Sequence, residues 1–99
     1  MRIVFVGRDG TAEAEGRPGE RLLDTAQRAG QPLEGTCGGD MACATCHLIL
    51  SPEDFARVPP AAAEEEDLLD LVPGTVRTSR LACQIVLTEA LDGLTARVP

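Results

Sequence analysis

The sequence is poor in aromatic residues and contains no lysine. Its 99 residues include no tryptophan, no tyrosine and two phenylalanines, Phe5 and Phe55. A chain of this length buries one modest core, which must here be built from valine, isoleucine, leucine and alanine. The chain has sixteen acidic residues against nine arginines, so its formal net charge is −7. Because nucleic acids and anionic membranes are bound by basic surfaces, we expect neither as a partner and instead expect a basic protein.

Long apolar runs are absent as well. At the start of the chain, the apolar run from Ile3 to Val6 spans four residues. A membrane helix needs roughly 20 apolar residues, and a secretory signal also needs a longer run than this one. We therefore expect a monomeric, cytoplasmic protein whose residues 1–99 form one domain. In a reducing compartment, four cysteines are more often metal ligands or redox groups than structural disulfides.

The first third of the chain has the pattern of a hairpin followed by a helix. Residues 3–6 and 11–15 are predicted strands, and the GRDG sequence of residues 7–10 between them contains an Asp-Gly turn signal. Apolar residues then recur at helical spacing from Leu22 to Ala29, and Gly30 follows where a helix would end.

The rest of the chain mixes loop, strand and helix signals. Residues 31–46 have no clear period and are predicted to form a loop. Residues 47–50 are predicted to be a strand, and residues 64–72 a short acidic helix whose leucines turn toward the core. Strands are also predicted at 81–87 and 94–98. Together these patterns favour an α+β fold with a mixed sheet, one main helix and a short acidic helix.

Three of the four cysteines lie in the segment CGGDMACATCH of residues 37–47, and the overall spacing is C-x5-C-x2-C-x36-C. Structural zinc usually takes two C-x2-C pairs, whereas this chain has one, so a zinc-stabilised binding module is a remote alternative. A thioredoxin-like pair would leave two cysteines without a role. A four-iron cluster needs a C-x2-C-x2-C run, and a Rieske centre needs two histidines where this chain has one.

One [2Fe-2S] cluster held by four thiolates fits this spacing. Three thiolates from one loop must converge on a small site, so the backbone has to curl closely around the cluster. Small residues between the cysteines allow that approach, and their N–H groups can donate hydrogen bonds to the sulfur atoms. The predicted ligands are Cys37, Cys43, Cys46 and Cys83, and the small residues around them are Gly38, Gly39, Ala42 and Ala44.

The stretch CGGDMACATCHLIL at residues 37–50, followed by SRLACQI at residues 79–85, resembles the adrenodoxin and putidaredoxin class of [2Fe-2S] ferredoxins. One extra residue between the first two cysteines separates this class from plant-type ferredoxins, which use C-x4-C-x2-C. The resemblance covers almost the whole chain, including the acidic EEEDLLDL of residues 64–71. It implies a β-grasp fold of the [2Fe-2S] ferredoxin type. It also implies that Cys37 and Cys43 hold one iron, nearer the surface, and that Cys46 and Cys83 hold the other.

The resemblance also implies roles for residues outside the ligand set. His47 would not bind iron but would link the cluster loop to the acidic segment by hydrogen bonds. The acidic segment would dock both the electron donor and the electron acceptor, through Glu64, Glu65, Asp67 and Asp70. The alternative for this segment is a solvated helix whose first-turn acids are favoured by the helix dipole. For Arg80, the sequence offers two partners, the acidic segment or a loop carbonyl.

The chain is expected to carry electrons and not to be an enzyme, since it has one histidine and no nucleophile–base pair. A cluster of this kind changes its charge by one electron. The resemblance implies delivery from an NAD(P)H-dependent flavoprotein ferredoxin reductase to a haem-thiolate monooxygenase of the cytochrome P-450 type. Delivery to the machinery of iron–sulfur cluster assembly is the alternative. The sequence CGGDMACATC is slightly more similar to that of the ferredoxins that act with monooxygenases.

Overall fold

The fold is seen in a computed structural model that describes residues 1–7, 10–31, 47–72 and 74–99. Five strands form one mixed sheet in the order β2-β1-β5-β3-β4, in which β1 and β5 are parallel and the other pairs antiparallel. The strands are β1 (Arg2–Gly7), β2 (Gly10–Glu15), β3 (His47–Leu50), β4 (Ser79–Leu81) and β5 (Thr95–Arg97). The helices are α1 (Leu22–Arg28), α2 (Pro52–Arg57) and α3 (Ala63–Leu69), and short 3-10 turns span Ala82–Gln84 and Glu89–Leu91. The predicted α+β fold with a mixed sheet is confirmed.

The predicted N-terminal hairpin and main helix are both present. β1 pairs with β2 from Arg2↔Glu15 to Gly7↔Gly10, and alternation along β1 buries Ile3 and Phe5 completely. The predicted turn at residues 8 and 9 lies outside the described residues. In α1, Leu22, Leu23 and Ala26 are buried. Gly30 ends the helix with a φ of 81°, a conformation that glycine adopts without strain.

Helix α2 is not among the elements predicted above. Ser51 is its N-cap, and the Ser51 side chain accepts a hydrogen bond from the Asp54 N–H at 3.2 Å. Pro52 occupies the first turn, where its missing N–H costs nothing. A serine followed by proline and two acids is therefore a helix-start signal in this chain.

The prediction of a strand over residues 81–87 is wrong for the backbone conformation, but the alternating burial that it implied is observed for residues 85–87. β4 ends at Leu81, and the 3-10 turn Ala82–Gln84, hereafter the Cys83 turn, follows at once. Ile85 and Leu87 are nevertheless buried, and Val86 between them is 52 % exposed. Their backbone bonds to the segment that enters α1, with Leu22 N–H donating to the Ile85 carbonyl and Leu87 N–H to the Glu20 carbonyl, both at 2.8 Å. Residues 85–87 therefore alternate between buried and exposed positions although they do not belong to the sheet.

The acidic helix is present but shorter than predicted. α3 ends at Leu69, Leu69 is buried and Leu68 packs against the core. Leu71 is 80 % exposed, so the prediction that it turns toward the core is wrong, because the helical period ends before it. Among the described residues, every helix is too short or too polar to span a bilayer.

The helices divide between two regions of the sheet. α1 contacts β2 and the Cys83 turn, whereas α2 contacts β3 and α3 contacts β4. β3 and β4, the pair next to the acidic helix, therefore connect the surface of α3 with the turn that carries Cys83.

Candidate functional site

Cys83 is the one predicted cluster ligand within the described residues. It lies in the Cys83 turn directly after β4 and is 5 % exposed. The Gln84 side-chain amide donates a hydrogen bond to the Cys83 Sγ at 3.4 Å. An N–H donor at this distance suits a thiolate that binds iron, since such bonds stabilise charge on sulfur. The other predicted ligands and the small residues around them lie outside the described residues, namely Cys37, Cys43, Cys46, Gly38, Gly39, Ala42 and Ala44.

The register of β3 and β4 brings two parts of the predicted ligand set to one end of the sheet. The strands are antiparallel, and His47 pairs with Leu81. The chain therefore enters β3 from Cys46 at the same end at which it leaves β4 toward Cys83. Because paired strands are about 5 Å apart, this end of the pair is where thiolates from both segments can meet. The predicted sharing of one iron by Cys46 and Cys83 is compatible with this register.

His47 is buried at the start of β3, with 7 % of its surface exposed. Its Nε2 lies 2.8 Å from the Ser79 Oγ, and Ser79 Oγ also accepts a hydrogen bond from the Val76 N–H at 2.8 Å. Burial lowers the pKa of His47 below its usual 6.5, so its imidazole is neutral at pH 7. Among the described residues, His47 thus bonds to the segment that follows the acidic helix rather than to the helix itself. Its predicted link to the cluster loop lies outside those residues.

Arg80 and Glu65 form a buried ion pair between β4 and α3. Arg80 Nε donates to Glu65 Oε2 at 2.7 Å, and Arg80 Nη2 donates to Glu65 Oε1 at 3.1 Å. Arg80 Nη1 also donates to the Pro59 carbonyl at 2.6 Å, and Leu81 N–H donates to Glu65 Oε2 at 2.9 Å. Arg80 therefore bonds to both of the partners that the sequence suggested, the acidic segment and a loop carbonyl.

The burial of Glu65 corrects one predicted docking residue. Its surface is 1 % exposed, and its carboxylate is fully engaged by Arg80 and Leu81, so Glu65 cannot contact a partner protein. Glu64, Asp67 and Asp70 are exposed, and these three residues are hereafter the acidic face. They lie three residues apart along α3 and its C-terminus, a spacing that places them on one side of the helix.

The contact of Ser79 with His47 is not predictable from local sequence. Ser79 is 32 residues from His47 in the chain, and serine before an arginine has no distinctive pattern. Only the register of β3 and β4 identifies the contact.

The chain matches the family model of the 2Fe-2S iron-sulfur cluster binding domain over residues 6–88. It is 43 % identical to a 2Fe-2S ferredoxin of Rickettsia conorii, with 100 % of this chain and 89 % of that protein aligned. It is 40 % identical to the mitochondrial adrenodoxin homolog of Saccharomyces cerevisiae, with 100 % of this chain but 58 % of that protein aligned.

Among solved structures, the fold is similar to putidaredoxin in its covalent complex with putidaredoxin reductase. The TM-score is 0.91 at 34 % identity, and the superposition covers 100 % of this chain and 98 % of that one. This similarity and the mixed five-stranded sheet confirm the predicted β-grasp fold.

We predict that Glu65→Gln destabilises the protein by about 3 kcal/mol, because removing one charge of a buried pair leaves the other uncompensated. The free energy of unfolding in urea, measured on the protein with its cofactor bound, checks this. Glu66→Gln is the matched control, since Glu66 is the next residue of the same helix and is exposed. Equal stability of the two variants would show that the pair does not hold α3 in place.

Proposed function

The chain belongs to the adrenodoxin and putidaredoxin class of [2Fe-2S] ferredoxins and carries electrons on one [2Fe-2S] cluster, and from this premise we propose its partners. It accepts electrons from an NAD(P)H-dependent flavoprotein reductase and delivers them to a haem-thiolate monooxygenase of the cytochrome P-450 type. Residues 1–99 act as one domain, as a monomer in the cytoplasm. The observation that carries the proposal is the exposed acidic face on the helix that contacts β4, the strand leading to Cys83.

We propose that Cys37, Cys43, Cys46 and Cys83 hold the cluster. The cluster, when bound, takes up and releases single electrons without a change in the protein's covalent structure. The chain's own residues supply the surroundings: Gln84 donates a hydrogen bond to the Cys83 sulfur. Burial of Cys83 and His47 keeps water from this end of β3 and β4, and a neutral His47 adds no charge that would compete with the acidic face.

The acidic face suits a basic partner. α3 has no basic residue in its last turn, and within the described residues the carboxylates of the acidic face are in no salt bridge. Exposed charges of one sign accelerate the encounter with an oppositely charged surface. The covalent complex of the similar putidaredoxin with its reductase supports a flavoprotein reductase as the donor.

The identity of the electron acceptor is the more specific part of the proposal. The amino-acid sequence around the cysteines favours a monooxygenase as the acceptor, and the machinery of cluster assembly is the competing acceptor. We expect the reduced protein to transfer its electron to ferric haem-thiolate monooxygenase of the source organism, which under carbon monoxide gives the ferrous–carbonyl absorption band. Cysteine desulfurase with its scaffold protein is tested in parallel. Electron delivery that supports assembly on the scaffold and leaves the haem ferric would assign the protein to cluster assembly.

The ligand set is tested by single Cys→Ser substitutions. Amino-acid side chains are diamagnetic and do not absorb visible light, so visible absorption and paramagnetic resonance of the protein come from the cofactor; with no tryptophan or tyrosine, near-ultraviolet bands also report it with little interference. We expect Cys83→Ser to lose the cluster or change both spectra, as should the same change at Cys37, Cys43 and Cys46, since each removes a thiolate ligand. Thr88→Ser, a few residues along on the exposed surface, is the control. An unchanged spectrum after Cys83→Ser would contradict the assignment of the fourth ligand.

The acidic face is tested with the double substitution Asp67→Asn and Asp70→Asn. We expect kcat/KM for reduction by putidaredoxin reductase to fall about tenfold at low ionic strength, because electrostatic steering is lost. The dependence on salt should weaken as well. Glu13→Gln with Glu89→Gln removes the same charge from exposed positions outside α3 and should have little effect. Identical salt dependence in the two double variants would argue against docking at α3.

A further inference from the structure

A groove of about 630 Å³ lies between α2, α3 and the segment before β4. This volume is within the usual range of ligand-binding clefts. Phe55 and Ala56 of α2 line it together with Leu69 of α3. Val76 lines it from the segment that leads into β4, and Ser79 lines it from the start of β4. Of the predicted cluster site, the two residues that the structure describes, Cys83 and His47, are not among those that line it.

The groove presents apolar surface to solvent. In the described part of the chain, three large apolar side chains are exposed: Leu71, Val76 and Val86. Two of them, Leu71 and Val76, belong to the short stretch between α3 and β4, and Val76 lines the groove at 51 % exposure. Apolar surface bordered by polar residues is typical of interaction sites.

The charges around the groove indicate the chemistry of its occupant. Glu66 and Asp70 line it with two carboxylates, against the single guanidinium of Arg77. The charge of Arg80, which also lines it, is neutralised by Glu65 at 2.7 Å. The groove therefore combines apolar and polar lining with a net negative edge. It disfavours an anionic ligand, and it disfavours a second copy of this chain, whose net charge is −7.

We propose that this groove receives a large apolar side chain from a basic segment of the flavoprotein reductase. The inference rests on the proposed function and deepens it: the acidic face attracts the partner, and the groove anchors it. Asp70 belongs to both, so the two surfaces are continuous. In protein interfaces, apolar or aromatic anchors buried in pockets carry most of the binding free energy, whereas exposed charges mainly set the association rate.

The position of the groove suits an electron-transfer complex. Ser79 lines the groove and lies 2.8 Å from His47, which directly follows the predicted ligand Cys46. A side chain held in the groove would therefore fix the partner next to the end of β3 and β4 at which the cluster ligands are predicted. An anchor of this kind limits the orientations that the reductase can adopt on the acidic face.

The test is the dissociation constant of the cluster-loaded protein with putidaredoxin reductase, measured by calorimetry at several salt concentrations. Ala56→Phe fills the groove from an exposed position, and we expect it to raise Kd about tenfold. Val76→Thr keeps the side-chain shape and removes apolar contact, and we expect Kd to rise about threefold. Neither variant changes charge, so the slope of log Kd against log salt should stay that of the wild type, unlike the slope of the Asp67/Asp70 double variant.

Two matched controls isolate the groove. Val86→Thr makes the same change at a valine with 52 % exposure, against 51 % for Val76, and Ala90→Phe makes the same change at an exposed alanine that does not line the groove. Visible spectra and unfolding midpoints verify that each variant retains its cluster and fold, and Val76→Thr alone decides if Ala56→Phe does not fold.

The outcomes separate this proposal from the one on which it rests. Equal affinities of groove variants and controls, with salt-dependent binding of the wild type, would overturn the groove proposal and leave the reductase as donor. A wild-type protein that binds neither putidaredoxin reductase nor the flavoprotein reductase of its source organism would overturn both. Groove variants that change sedimentation of the protein alone, and not its reductase affinity, would identify a second copy as the occupant and also overturn the proposal.

Discussion

The buried ion pair of Glu65 and Arg80 connects the acidic helix to the strand that leads to Cys83. Both side chains are almost completely removed from water, at 1 % and 3 % exposure, and removing two charges from water is costly. The cost is offset only where every polar atom finds a partner. Here the carboxylate accepts three N–H bonds from Arg80 and Leu81, and the guanidinium also bonds to Pro59. Because these hydrogen bonds all form in one relative position of the helix and the strand, they fix α3 on β4. They thereby also fix the position of the acidic face relative to the Cys83 turn.

The same helix uses its acids in two different ways. Glu65 is buried and Leu69, four residues later, is buried on the same side. Glu64 and Asp67 lie on the opposite, exposed side. One carboxylate therefore orients the helix from inside, and its neighbours form the surface that the helix presents. A substitution in this run of acids consequently affects stability or recognition according to the side of the helix on which it falls.

Sequence patterns predicted burial better than they predicted backbone pairing. The hairpin, α1 and the mixed sheet follow from periodicity, because one apolar face of each element is buried. Ile85 and Leu87 alternate with Val86 for the same reason, yet they bond to the segment before α1 and not to a strand, since alternation reports burial and not the identity of the partner backbone. Helix α2 was not predicted, although Ser51 and Pro52 are start signals of a helix.

The candidate site shows a similar division. Cysteine spacing predicts a four-thiolate ligand set, and of its members the structure describes Cys83, whose burial and hydrogen bond suit that role. Local sequence cannot distinguish Glu65 from Glu64, since the inward orientation of Glu65 depends on Arg80, fifteen residues later. The Ser79–His47 contact likewise depends on strand register.

On the proposed docking, the physical division between the acidic face and the groove bears on how a shuttle can work. Long-range attraction raises the association rate and weakens as salt screens it, whereas apolar contact mainly lowers the dissociation rate. An electron carrier must leave the donor before it reaches the acceptor, and electron-transfer complexes accordingly have small interfaces. On this proposal, one side chain anchored in the groove sets the orientation of the partner, and the carboxylates of the acidic face raise the association rate. Little further contact remains to slow the release of the partner. If donor and acceptor use the same groove, they must compete for it, so the carrier alternates between them instead of bridging both.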